Sequence, residues 1–246
     1  MTTNCESYGL ETVGIDAKGQ IHRNLDVDTL VVKSIERQEG VKSKTGALTV
    51  KTGKYTGRSP NDKFIVDTKK VHDKISWGKV NVPISEKGFK NLYKKVIDYL
   101  SNKEEIFIFD GMVGADPEHT LHIRVVSESA AQSLFATQLF RRPTPEELSG
   151  HKPGFTVIAA PGCHADPKED GTNSEAFIIV NFDEKVVIIG GSLYSGEIKK
   201  SIFSVMNFFL PLKGVLPMHC SANIGDNGDV ALFFWLVRHR QNFSFS

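Results

Sequence analysis

Three apolar runs in the second half of the chain, FTVIAAPG (155–162), EAFIIVNF (175–182) and KVVIIGG (185–191), dictate the architecture available to it. Each is of strand length and bounded by Gly, Pro or polar residues, so each reads as a strand, the last two paired through Asp183 and Glu184. Further strands are expected at ALTVKT (47–52), KFIVD (63–67), EIFIFDG (105–111) and LHIRVVS (121–127). Between them lie helical patterns. Asp28 is positioned to cap a helix through TLVVKSIERQ (29–38), and Ser85 starts a helix whose Phe89, Leu92, Val96, Ile97 and Leu100 recur at helical spacing. Others are expected over 128–140, after Thr144 within RRPTPEEL, and from Glu197 to about Pro211. Helices and strands mix without strict alternation, which specifies an α/β domain built on a mixed sheet.

At 246 residues the chain has enough material for one large domain or two smaller ones. A formal charge of +1 with 24% charged residues excludes a protein whose main task is coating nucleic acid or anionic membrane. Cys5, Cys163 and Cys220 are odd in number, far apart and without a CxxC pair, which fits a reducing compartment. The N-terminus lacks the basic and apolar regions of a signal peptide, and no apolar run approaches the ~20 residues of a membrane span. The expectation is a soluble, cytoplasmic protein.

Three stretches carry candidate chemistry. TGKYTGRSP (52–60) has two glycines that free the backbone to approach an anion, and Arg58 presents a fork for carboxylate or phosphate. Its spacing is not that of a G-x-x-x-x-G-K-[ST] phosphate loop, and a solvated basic loop is the plain alternative. GGSLYSGEIKKSIF (190–203) gathers Tyr194, Glu197, Lys199 and Lys200 where a strand gives way to a helix. Adjacent lysines depress each other's pKa, and a neutral amine is a base or a metal ligand; a solvated lysine pair is the bland counterpart. PMHCSAN (217–223) places His219 beside Cys220 with no second histidine at metal-ligand spacing, and His119 and His122 in HTLHIRV read as surface groups at the start of a strand. No one of these stretches decides the function alone.

Taken in order they do. TGRSPNDKFIVD, GADPEHTLHIRVVSE, RRPTPEEL, YSGEIKKSIFSVMNFFLPLKG and MHCSANIGDNGDVALFF together resemble the ATP-dependent phosphoenolpyruvate carboxykinase family, nearly end to end. The resemblance implies conversion of oxaloacetate and ATP to phosphoenolpyruvate, CO₂ and ADP, a step of gluconeogenesis. It implies that Arg58 holds a substrate carboxylate and that Tyr194 faces the point where CO₂ departs. Lys200, Lys199 and Arg58 would be catalytic, and Arg58, Tyr194 and Lys200 would bind substrate. Lys200 and His219 would contact ATP and ligate Mn²⁺, with ATP itself carried as its Mg²⁺ complex. A lysine ligates a metal only as the free amine, so this role requires a depressed Lys200 pKa. Nucleic acid and membrane are not expected partners.

The same resemblance divides the chain into an α/β substrate-binding domain, 1–214, and the start of a mononucleotide-binding domain, 215–246. In the family, the strand matched by DVALFF leads into a phosphate loop; here it leads into WLVRHRQNFSFS (235–246). One permitted codon spelling of this stretch, with a single T removed, reads FGLSGTGKTFLS, which contains G-x-x-x-x-G-K-T. The expectation is therefore a frameshift that leaves 235–246 out of frame. The chain would then hold only the first strand of the nucleotide domain and be inactive alone. The rival reading is a non-catalytic remnant or anion-binding domain that at most binds oxaloacetate.

Overall fold

A computed structural model describes residues 7–234; Cys5 and the out-of-frame reading of 235–246 lie outside the described residues. The chain divides into two compact units at Val205/Met206.

The first unit is a mixed α/β domain. Its strands, in chain order, are β1 (Gln20–Arg23), β2 (Gly40–Lys42), β3 (Leu48–Val50), β4 (Lys63–Val66), β5 (Val82–Ile84), β6 (Glu105–Val113), β7 (Leu121–Ser127), β8 (Phe155–Ala160), β9 (Phe177–Asn181) and β10 (Val186–Gly190). Eight of them form one sheet in the order β1-β6-β7-β8-β10-β9-β4-β5, while β2 and β3 pair separately. Two antiparallel pairings, β6–β7 and β9–β10, interrupt an otherwise parallel order. The β9–β10 hairpin is the pairing expected through Asp183 and Glu184, with Val186 opposite Asn181.

Every residue of β8, β9 and β10 is buried, so both faces of the sheet centre are covered. That is why these strands are written as continuous apolar runs. Helix α2 (Glu86–Ser101) closes one face, burying Phe89, Leu92, Val96, Ile97 and Leu100 against Ile106, Ile108, Val126, Ile158 and Ile188. Ser85 caps it by accepting from the Gly88 N–H. Helices α1 (Val27–Glu36) and α3 (Ala130–Leu139) pack together on the other face, where Leu30, Phe107, Ala130 and Leu134 cluster. Ile106 and Ile108 face one side and Phe107 the other, the period-two alternation of a strand. The cap of α1 is Asp26, which accepts from Thr29 N–H, and not Asp28 as expected; Asp26 has the extended backbone a cap needs, whereas Asp28 is already helical. Short helices α4 (Pro145–Ser149), with a full capping box between Thr144 and Glu147, and α5 (Pro167–Asp170) complete the connections. Helix α6 (Gly196–Phe209) follows β10 and runs past the division between the units. No helix among the described residues is long and apolar enough to cross a membrane.

The second unit contains the end of α6, a turn at Pro211–Lys213 and an antiparallel hairpin of β11 (Ser221–Ile224) and β12 (Val230–Phe233). Gly228 takes φ +80° in the connecting turn. The apolar stretch 230–234 forms the exposed second arm of a locally closed hairpin, with Val230, Leu232, Phe233 and Phe234 all open to solvent.

Candidate active site

The loop carrying Arg58 is held in place from both sides. It leaves β3, passes through the turn Pro60–Asp62 and enters β4. The Lys54 ammonium meets Glu175 at 2.9 Å, the Tyr55 hydroxyl lies 3.2 Å from the Ser174 hydroxyl, and the Asn173 amide donates to the Asn61 carbonyl at 2.5 Å. These bonds tie the loop to the segment that leads into β9. The tie nearest Arg58 is different: the Ser59 N–H donates to the Glu197 carboxylate at 2.7 Å. Glu197 lies in the first turn of α6, so one buried carboxylate joins the arginine loop to the helix that carries Lys199 and Lys200.

The chain reaches α6 by a tight route. A Cβ on Gly190 would fall 2.2 Å from the Phe177 ring, and Gly191 takes φ +66°, so β10 ends in a turn that only glycines permit. Ser192 fixes the next step, accepting Gln132 Nε2 on its carbonyl and Tyr194 N–H on its hydroxyl, both at 3.3 Å. A Cβ on Gly196 would lie 2.3 Å from the Tyr194 ring, so the tyrosine packs directly over the helix start.

Burial and charge act against each other across this patch. Burial drives the Glu197 carboxyl above its ordinary value, against the Ser59 N–H, Lys63 and Arg58, which favour its charged form. Burial also raises Asp62. Lys63 is pushed down by burial and by Arg58 and Lys200, and its ammonium donates to Ser204 on α6 at 2.5 Å. The Lys200 amine is lowered by burial first, then by Arg58 and Lys199, and sits 4.6 Å from the centroid of the Phe203 ring. Four cations therefore share the field of one small region, Arg58, Lys63, Lys199 and Lys200, against the carboxylates of Glu197 and Asp62.

Of the residues singled out in the sequence, Arg58 and Lys199 both act on the charge of Lys200, and Tyr194 lies at the start of the helix that holds the lysines. Lys199 is exposed and Tyr194 half-buried. His219 belongs to the second unit, in the segment before β11. Lys63 and Asp62 were not singled out, and Glu197 had no assigned part. Their only sequence signal is proximity to Arg58 and Lys200, three to five residues along the chain. Among the described residues, no group of three or more His, Cys, Asp and Glu side chains could hold a metal ion.

The phosphoenolpyruvate carboxykinase family profile matches residues 19–237, a span that contains every candidate site residue named above. The chain belongs to the phosphoenolpyruvate carboxykinase family. It is 60% identical over 230 residues to the phosphoenolpyruvate carboxykinase (ATP) 1 of Moorella thermoacetica, covering 94% of this chain and 44% of that protein. Against the phosphoenolpyruvate carboxykinase (ATP) of Geobacillus kaustophilus it is 57% identical, covering 89% of this chain and 42% of the relative. Against that of Bacillus cereus strain B4264 it is 55% identical, covering 96% and 44%. The chain thus spans less than half the length of the curated relatives it matches. The relatives are of the ATP-dependent branch, in keeping with the resemblance of the TGRSP loop.

Proposed function

We propose that this chain supplies the substrate-carboxylate half of an ATP-dependent phosphoenolpyruvate carboxykinase, binding oxaloacetate or phosphoenolpyruvate at Arg58. The observation that carries the reading is the Ser59–Glu197 bond, which brings the Arg58 loop to the helix bearing Lys199 and Lys200. In the reaction, the bond between the departing carboxylate and the adjacent methylene breaks, CO₂ leaves, and its electron pair forms an enolate. The enolate oxygen then takes the γ-phosphoryl group of ATP, giving phosphoenolpyruvate and ADP. Arg58 holds a carboxylate bidentately through its planar fork. Tyr194 flanks the carbon from which CO₂ departs. Lys199 and Lys200 lower the energy of the oxyanion that develops, in a region already rich in positive potential. Lys200 and His219 would hold Mn²⁺, which supplies further charge stabilisation at the enolate oxygen when bound.

The 246 residues contain no G-x-x-x-x-G-K-[ST] sequence to cradle the phosphates of ATP. That favours the second reading for this polypeptide: it binds the dicarboxylate and does not turn it over by itself. The same proposal makes the parent enzyme a soluble cytoplasmic lyase of gluconeogenesis.

Isothermal titration with oxalate, a planar dianion, tests the site, with and without ATP-Mg²⁺. Oxalate is expected to bind and ATP to leave its affinity unchanged. Arg58→Ala is expected to lose roughly 10- to 100-fold, the worth of a charge-assisted bond. Equal affinity in wild type and Arg58→Ala would remove the carboxylate site, and phosphoenolpyruvate formation by the 246-residue chain would overturn the reading that it is inactive alone.

A further inference from the structure

His122 and His151, 29 residues apart in sequence, face each other through their Nδ1 atoms at 3.4 Å. His122 is on β7 and half-buried; His151, in the connection between α4 and β8, has a side chain only 1% exposed. The spacing is long for a hydrogen bond between ring nitrogens, whose ordinary range ends near ~3.2 Å. The partners of His151 fix its tautomer. His151 Nε2 lies 3.1 Å from the Ile123 carbonyl oxygen, which can only accept, so the His151 proton is on Nε2 and a lone pair on Nδ1 faces His122. Asp110 Oδ1 stands 3.6 Å from the same Nε2 and reinforces that tautomer. A distal N–H held by a backbone carbonyl and a carboxylate is how proteins orient a metal-ligating histidine.

The ring geometry agrees. Two imidazoles bound to one tetrahedral ion at ~2.05 Å put their nitrogens ~3.35 Å and their ring centroids ~5.2 Å apart. Here the nitrogens are 3.4 Å and the centroids 5.2 Å apart. The spacing is also held by the backbone, because the Gly154 N–H donates to the His122 carbonyl at 2.8 Å and fastens the His151–Gly154 segment to β7.

We propose that His122 and His151 form a site for a late first-row divalent cation, Zn²⁺ above all, that clips the α4–β8 connection to β7. Neutral imidazole nitrogen selects such ions over Mg²⁺ and Mn²⁺. No third His, Cys, Asp or Glu among the described residues completes a cluster, so water fills the remaining positions and the site is open on the His122 side. It uses neither Lys200 nor His219, the residues proposed for Mn²⁺.

The test uses the untagged 246-residue chain and Zn²⁺ itself. Long-range ¹H–¹⁵N spectra of the wild type are expected to show Zn²⁺ shifting the Nδ1 resonances of two histidines together, while their Nε2 resonances keep the character of N–H. By isothermal titration, Zn²⁺ affinity is expected to fall at least 10-fold in His122→Asn, to be unchanged in His72→Asn, and to exceed that of Mn²⁺ at least 10-fold. Zn²⁺ that leaves both Nδ1 resonances in place overturns the proposal without any variant. So does equal affinity in His122→Asn and wild type, which would reduce the pair to a long hydrogen bond.

Discussion

Asp110 and Glu197 are both carboxylates buried in the first unit, and they have opposite fates. Asp110, on β6, receives Arg124 through Nε and Nη2 at 2.7 and 2.8 Å and Arg23 through Nε at 2.8 Å. Burial pushes its pKa up, but Arg124, His151 and Arg23 together hold it below the usual range. Glu197 accepts the Ser59 N–H and lies among cations that do not overcome its burial, so its pKa is raised. The first cluster is closed: both carboxylate oxygens accept from guanidinium groups, and the result is a cross-link between β1, β6 and β7. The second leaves positive potential unspent. A buried charge whose neighbours saturate it builds architecture, whereas one that leaves positive charge around it suits the carboxylate site proposed above.

The largest effect expected from this contrast is at the closed cluster. Asp110→Ala leaves the buried Arg124 and the half-buried Arg23 without their anion, and removing one partner of a buried ion pair costs about 3–5 kcal/mol. Urea unfolding of wild type and variant measures it. A loss below about 1 kcal/mol would mean that water already satisfies the arginines, and the cluster would no longer be closed.

The next effect separates the two carboxylates by the sign of their pH dependence. Glu197 has a folded pKa above its ordinary 4.5, so the folded state holds its proton more tightly than the unfolded chain does. Its contribution to stability therefore declines as pH rises from 4.5 to the folded value and is constant above it. Asp110 has a folded pKa below its ordinary 3.8, so its contribution is present above 3.8 and is lost as pH falls towards the folded value. Glu197→Gln is expected to remove the decline above pH 4.5 and to leave the acid limb as in wild type. Urea midpoints across this range in both proteins show it, and parallel curves throughout would refute the distinction.

These two clusters were unequally legible in the sequence, for a physical reason. Local pattern reports what neighbours along the chain do to one another. The spacing of Phe89, Leu92, Val96, Ile97 and Leu100 identifies the buried face of α2, and Ser85 and Thr144 are caps because a cap acts within three residues. The pairing of Arg23 with Asp110 spans 87 residues and depends on sheet order, which no local pattern encodes. Strands β1 and β5, of four and three residues, were not anticipated; they lie at the two edges of the sheet and carry too little apolar alternation. The stretch 230–234 shows the limit from the other side. Its apolar content is plain, but composition does not say what covers a strand, and in the second unit it is an exposed hairpin arm. At the candidate site, Arg58, Tyr194, Lys199 and Lys200 were singled out by local chemistry and by the resemblance of whole motifs. The use of Glu197 to hold Ser59 was not, because a buried glutamate on a helix looks like any other glutamate.

The smallest effect concerns the unspent positive charge itself. Lys200 is lowered by burial, then by Arg58, then by Lys199, an order that ranks a residue 142 positions away above the adjacent one. Removing either cation raises the amine towards its ordinary 10.5, and Arg58→Gln is expected to raise it more than Lys199→Gln does. Both variants keep the helix and its burial, so the leading cause stays constant between them. In metal-free protein, the pH dependence of the Lys200 ¹³C shift after reductive methylation reads the amine directly. If Lys199→Gln has the larger effect, the lysine pair alone sets the depression and the Arg58 loop does not share its field. The open cluster would then be two separate surfaces, and a single dianion could not engage Arg58 and Lys200 together. If Arg58→Gln has the larger effect, the charges that Glu197 brings together act as one site before any substrate arrives.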